Sequence, residues 1–178
     1  MKLLETSRLL LKPLTLEFCT EQYVSWLNDI EVNQYLESGN GYTLSMLQDF
    51  ILNIQNNKIY AWAIVIKDSN KHIGNIKIDP INLRHGFAEY GILIGDKTEW
   101  NKGYAKEASL SVIQFCFGVL NLRKINLGVV EKNNAAVNLY KSMGFEIEGI
   151  YKAHAKYNSE YCDIIRMAIF KNSINKYE

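Results

Sequence analysis

The 178-residue sequence contains no run of about 18 apolar residues, so no segment reads as a membrane-spanning helix. Its opening, MKLLETSRLLLKPL, interrupts an apolar stretch with Arg8 and Lys12 and lacks a signal-peptide core, so a cytoplasmic protein with no membrane partner is expected. Excess charge of one sign is missing as well. The formal net charge is +1 and the basic residues are scattered, which gives no general attraction to nucleic acid; any anion site has to come from local geometry. Cys19, Cys116 and Cys162 are odd in number, far apart and without a CxxC pair, which argues against a disulfide framework and a zinc site. His72, His85 and His154 have no metal-ligand spacing, and no metal is expected. Two nucleotide motifs are also absent. GILIGDKT at 91–98 puts Asp96 where a P-loop needs its second glycine, and no G-x-G-x-x-G occurs.

Hydrophobic residues make up 48% of the chain and charged ones 22%, the balance of a single domain over residues 1–178 with a substantial core. SRLLLK at 7–12 reads as a short strand ended by Pro13. Phe18, Tyr23, Trp26, Leu27, Ile30 and Tyr35 suggest one or two amphipathic helical pieces, followed by a turn at GNG, 39–41. A further helix starts near Thr43 or Ser45, the latter with Gln48 placed for a capping box, and presents Met46, Phe50 and Ile54. From 59 onward the period becomes two: IYAWAIVI, HIGNIKID and FAEYGILI form a three-stranded antiparallel meander. Ala105, Ala108, Val112, Phe115 and Val119 mark a helix packed on a sheet, and KINLGVV at 124–130 is the strand after it. NAAVNLYKSM forms a short helix ended by Gly144, and FEIEGIY and YCDIIRMAIF close the chain as two strands.

The strand at 87–94, the helix at 104–120 and the strand at 124–130 make a right-handed crossover, which pairs two parallel strands inside an otherwise antiparallel sheet. Within WNKGYAKEA, at 100–108, Gly103 stands where the chain enters the helix. Orphan amides and the positive end of the helix dipole there make an anion site, most naturally for phosphate, flanked by Lys102 and Lys106.

That segment resembles the pyrophosphate loop of the GNAT N-acetyltransferases, Q/R-x-x-G-x-G/A, with Trp100, Gly103 and Ala105 at its defining positions. Trp100 replaces Gln or Arg, a departure familiar in the Rim-type branch, which includes ribosomal-protein N-terminal acetyltransferases. Asn101 stands where that branch has glycine; asparagine tolerates positive φ. NNAAVNLYKSMGF, 133–145, resembles the family's N-x-x-A-x-x-L-Y-x-x-x-G-F run. The resemblance covers nearly the whole chain. It implies an α/β fold with a mostly antiparallel seven-stranded sheet, a splayed central parallel pair and flanking helices.

It further implies acetyl-CoA as co-substrate, with pyrophosphate on Trp100, Asn101, Lys102, Gly103, Tyr104, Ala105 and Lys106, and the pantetheine arm on the backbone of Ile92, Leu93 and Ile94 and on Asn133. Tyr140 matches the family tyrosine that protonates the leaving sulfur. Some relatives carry a glutamate base where this chain has Gly128, which makes Glu89 the substitute candidate, acting through water. Trp26, Tyr35 and Trp62 either line the acceptor pocket or belong to the core. Asp29, Glu31 and Glu37 either draw in a cationic amine or form a solvated acidic face. The acceptor is a protein N-terminus or a small amine such as a nucleotide-linked amino sugar, and the missing glutamate keeps open a catalytically silent acetyl-CoA-binding module. The expected assembly is a monomer or homodimer.

Overall fold

The computed structural model describes residues 1–36, 41–157 and 159–174; Glu37 and the first two residues of the expected GNG turn lie outside them. The chain begins with β1 (Leu4–Glu5) and β2 (Leu9–Pro13), which pair antiparallel. Next come α1 (Glu21–Asn28), α2 (Ile30–Asn33) and α3 (Leu44–Asn56), then β3 (Tyr60–Ile66), β4 (Lys71–Asn82) and β5 (Phe87–Ile94). After β5 follow α4 (Tyr104–Gly118), β6 (Lys124–Val130), α5 (Asn134–Ser142), β7 (Glu146–Tyr157), β8 (Glu160–Phe170) and α6 (Lys171–Ile174). Side-chain caps explain where several helices begin. Thr20 accepts from the Tyr23 amide, Thr43 from that of Met46 and Asn133 from that of Ala136, each a cap worth about 1 kcal/mol.

Among the described residues eight strands make one mixed sheet in the order β1-β2-β3-β4-β5-β6-β8-β7, one strand more than the sequence suggests. The addition is β1, whose two residues are too few to show a period. β5 and β6 pair in parallel: Phe87, Ala88 and Glu89 of β5 lie opposite Lys124, Ile125 and Asn126 of β6. β6 and β8 pair antiparallel along the whole of β6, from Lys124 opposite Phe170 to Val130 opposite Ile164.

The chain divides into two compact units, one of Met1–Asp79 with Gly91–Val112, the other of Pro80–Tyr90 with the chain from Ile113 onward. The core of the first gathers Phe18, Tyr23, Trp26 and Leu27 against Leu47, Ile51, Ile54 and the β3 residues Ala61, Ala63 and Val65. The buried face of α3 is therefore Leu47, Ile51 and Ile54, with half-buried Phe50 packed against the same core; Met46 is exposed, which corrects one of its three expected core positions. Because the cap is Thr43, the third helical residue is Met46, so the Ser45–Gln48 capping box does not form. Ile30 is also exposed, with Val32 buried in its place, and α4 stops at Gly118, leaving Val119 in solvent. Trp62 is fully buried, its indole donating to the Lys2 carbonyl at 2.9 Å, and Trp26 is a core residue too. The second unit buries Ile125, Leu127 and Val129 of β6 with Ile165, Met167 and Ile169 of β8.

Candidate active site

In the first unit the turn into α4 is shaped by two left-handed residues, Asn101 at φ 61° and Gly103 at φ 83°. Most side chains disfavour that region; asparagine and glycine are the two that enter it readily. The turn leads into a helix of 15 residues, long enough for its first-turn amides and dipole to attract an anion. Trp100 anchors the other end, its indole N–H donating to the Ile94 carbonyl at 2.8 Å. Ile92, Leu93 and Ile94 are half-buried and lie beyond the stretch of β5 that pairs with β6.

Charge around this turn is more committed than the sequence suggests. Lys102 pairs with Glu99 at 2.8 Å, and Glu99 also takes Lys71 at 2.8 Å. The Lys102 ammonium, then that of Lys71, holds the Glu99 carboxyl below its ordinary range. Asp96, the residue that breaks the P-loop pattern, accepts from the Thr98 amide at 2.9 Å and pairs with Lys71 at 2.8 Å. Arg8, not foreseen from the sequence, also reaches the turn. Its Nη1 donates to the Lys102 carbonyl at 3.0 Å, its Cζ sits 4.5 Å from the Tyr104 ring centroid, and its Nε donates to Glu107 at 2.6 Å. Glu107 also accepts from the Thr6 and Ser7 hydroxyls at 2.6 and 3.0 Å and from the Arg8 amide at 2.8 Å. Burial pushes that carboxyl up, but the bonds from Thr6, Arg8 and Ser7 outweigh it and hold it down at about 2. Exposed Lys106 and half-buried Tyr104 and Ala105 complete the first turn. Elsewhere in this unit, Asp29 and Glu31 are tied to Lys97 at 2.7 and 3.2 Å, so neither of them is a bare acidic group for a cation.

In the second unit Tyr140 projects from α5, buried, with its ring edge-on to Tyr90 at 6.0 Å and tilted on Phe145 at 5.8 Å. Burial pushes its phenol up to about 12, so it is protonated at neutral pH. Asn133 caps α5 through Oδ1, 3.1 Å from the Ala136 amide, which leaves Nδ2 as a donor. Glu89 precedes Tyr90 on β5, and successive strand side chains point to opposite faces; Tyr90 meets Tyr140, so Glu89 faces away from it. Glu89 Oε1 accepts from Arg166 Nη2, an ion pair that the sequence did not disclose, since the partners stand 77 residues apart. Among the described residues no group of three or more His, Cys, Asp or Glu could hold a metal ion, and no helix is long and apolar enough to cross a membrane.

The acetyltransferase (GNAT) domain family matches residues 8–146. An N-acetyltransferase of Bacillus subtilis, YoaA, whose activity is uncharacterized, is 30% identical over 173 residues, 95% of this chain and 97% of that one. The spermidine N(1)-acetyltransferase of Vibrio cholerae is 34% identical over 116 residues, 64% of this chain and 66% of that one. A crystal structure of the spermidine N-acetyltransferase from Vibrio cholerae, in complex with CoA and spermine, has a TM-score of 0.85 at 25% identity, covering 94% of this chain and 98% of that one. None of these relatives bears on the Rim-type branch. With a family match over most of its length and a full-length relative of the same kind, the chain belongs to the GNAT family and is an N-acetyltransferase enzyme.

Proposed function

We propose that the enzyme transfers the acetyl group of acetyl-CoA directly to a small primary amine in a ternary complex. The observation that carries the reading is the turn of Asn101 and Gly103, two left-handed residues at the mouth of a 15-residue helix. Such a turn exposes backbone amides to a pyrophosphate without an intervening side chain. The CoA-bound structure of the Vibrio cholerae relative supports the same co-substrate.

In the transfer the neutral amine attacks the acetyl carbonyl carbon, the C–S bond breaks and the thiolate departs. Tyr140 donates a hydrogen bond from its phenol to that sulfur as the thiolate leaves. The proton of the new ammonium leaves through water to Glu89, whose Oε2 is not engaged by Arg166. A phenol at about 12 is a weaker acid than a thiol of about 8 to 9, so Tyr140 acts chiefly by hydrogen-bonding the developing thiolate. The spermidine-acetylating relatives support a small amine as the acceptor without fixing which amine. A protein N-terminus or a nucleotide-linked amino sugar is an alternative acceptor. A monomer or homodimer is the assembly proposed, although a Vibrio cholerae spermidine N-acetyltransferase is dodecameric.

A catalytically silent acetyl-CoA-binding module is the second reading, favoured by Gly128 and by the commitment of Glu89 to Arg166. Two measurements decide. Acetyl-CoA at about a hundred times its Kd should add roughly 2.7 kcal/mol and raise Tm by about 5 to 10 °C, and dephosphorylated pantetheine far less. Release of CoA should exceed hydrolysis with one or more amines from a panel of polyamines, amino acids, amino sugars and peptides. Stabilisation without release establishes the silent module; equal shifts from both compounds remove the phosphate-loop reading.

A further inference from the structure

On one face of the second unit, β5, β6 and β8 bring four positions into register. Glu89 lies opposite Asn126, and Gly128 opposite Arg166. Paired and alternate strand residues share a face, so all four are on the same side. Arg166 reaches across to Glu89 through Nη2, and its Nη1 fills the space above Gly128, where a Cβ would stand 3.0 Å from it. Its Cζ is 5.7 Å from the centroid of the Tyr151 ring. The side chains of Arg166 and Glu89 are 24% and 29% exposed, so both reach solvent. Asn126 is only 9% exposed, and its buried Oδ1 has no hydrogen-bond partner.

We propose that this face holds the acceptor and selects a zwitterion of the α-amino-acid type, its carboxylate on Arg166 and its amine on Glu89 and Asn126 Oδ1. The assignment rests on the acetyltransferase reading above. A guanidinium fixed by a carboxylate and an aromatic ring keeps a planar fork that matches a second carboxylate, which a lone ammonium would not. Asn126 Oδ1 is a buried acceptor lacking a donor, and an amine N–H supplies one. A polycation brings no carboxylate for Arg166, and the guanidinium repels it. Gly128 suits this arrangement, because a Cβ there would crowd the guanidinium at 3.0 Å and Ile164 at 3.1 Å.

The test is steady-state release of CoA with single L-amino acids, their carboxamides and spermidine. One or more amino acids should exceed the matching carboxamide at least tenfold in kcat/KM, and spermidine should rank below them. Arg166→Gln should bring that ratio to near one, mainly through KM of the amino acid, and Arg166→Lys should leave it intermediate. General damage lowers both acceptors together and leaves the ratio unchanged. A wild-type ratio near one, a preference for spermidine, or a ratio that survives Arg166→Gln overturns the proposal. Should Arg166→Gln fail to fold by circular dichroism, Arg166→Lys carries the comparison, with an undiminished ratio as the overturning result. Absence of turnover with every amine defeats the acetyltransferase reading separately. Calorimetry of the same amino acids on CoA-loaded protein then decides the acceptor claim: binding that is lost in Arg166→Gln upholds it, and no binding overturns it.

Discussion

Tyr140 joins two requirements that pull apart. Packing against Tyr90 and Phe145 orients the ring, and the same burial raises the phenol to about 12. Tyr140→Phe keeps the ring and removes the hydroxyl, so kcat should fall by about 10², the low end for a positioned acid. Acetyl-CoA affinity should change by less than about 1 kcal/mol, the expectation for a hydroxyl proposed to meet sulfur mainly in the transition state. Steady-state kinetics with calorimetry check both, and an unchanged kcat would return Tyr140 to packing alone. The raised value also fixes a sign: the proton is retained as pH rises until about 12, so no loss of kcat assignable to Tyr140 should occur below pH of about 10. A kcat profile to pH 10, compared between wild type and Tyr140→Phe, reads this directly.

At the scale of an element, the entrance to α4 depends on backbone conformation and on one carboxylate. Asn101→Gly should be tolerated, whereas Asn101→Val places a β-branched residue at φ 61° and should destabilise by roughly 1 to 3 kcal/mol, read from urea unfolding. Glu107 binds the β1–β2 turn to the first turn of α4 through Thr6, Ser7 and Arg8. Glu107→Gln keeps the shape but loses the charge that those donors and the guanidinium answer. A loss of about 1 to 3 kcal/mol is expected, with a weaker acetyl-CoA shift because Arg8 is released from the turn. Equal cofactor shifts in wild type and Glu107→Gln would separate Arg8 from cofactor binding.

For the molecule as a whole, acid sensitivity should come in two windows. His72 is enclosed by the rings of Phe18, Tyr23 and Trp26, and its Nε2 lies 2.9 Å from the Gly74 carbonyl. Burial, opposed by that carbonyl, lowers it from 6.5 to about 4. Between those values the unfolded chain takes up a proton that the folded one refuses, so stability falls as pH drops through that range, by at most about 3 kcal/mol. Glu107 acts lower down: its depressed carboxyl contributes stability above its unfolded value of 4.5, which is lost as pH falls toward about 2. Urea midpoints from pH 7 to pH 3 should show the first window flattened in His72→Phe and the second in Glu107→Gln. An unaltered upper window in His72→Phe would assign it to other groups.

Much of the candidate site was legible because its cause is local. A left-handed turn needs glycine or asparagine, a helix mouth collects orphan amides, and a helix of period 3.6 repeats its apolar residues; each is written within WNKGYAKEA and the residues after it. The strands at 60–66 and 124–130 were legible for the same reason, since alternation and β-branching belong to the segment itself. The face of α3 was not. Leu44, Met46, Leu47, Phe50, Ile51 and Ile54 form a wide apolar stripe, and contact with β3 decided that Leu47 and Ile51 go inside while Met46 stays out. Nor could the sequence supply cross-strand register. Pairing Glu89 with Asn126, and Arg166 with Gly128, joins residues far apart in the chain, and a slip of one position would turn each side chain to the other face. The sequence by itself therefore determined the left-handed turn at the mouth of α4, which short-range conformational preferences encode, and, through its resemblance, the fold family. The tertiary structure decided which charges are already paired and which buried polar atoms are left without a partner, because those depend on the register of distant strands.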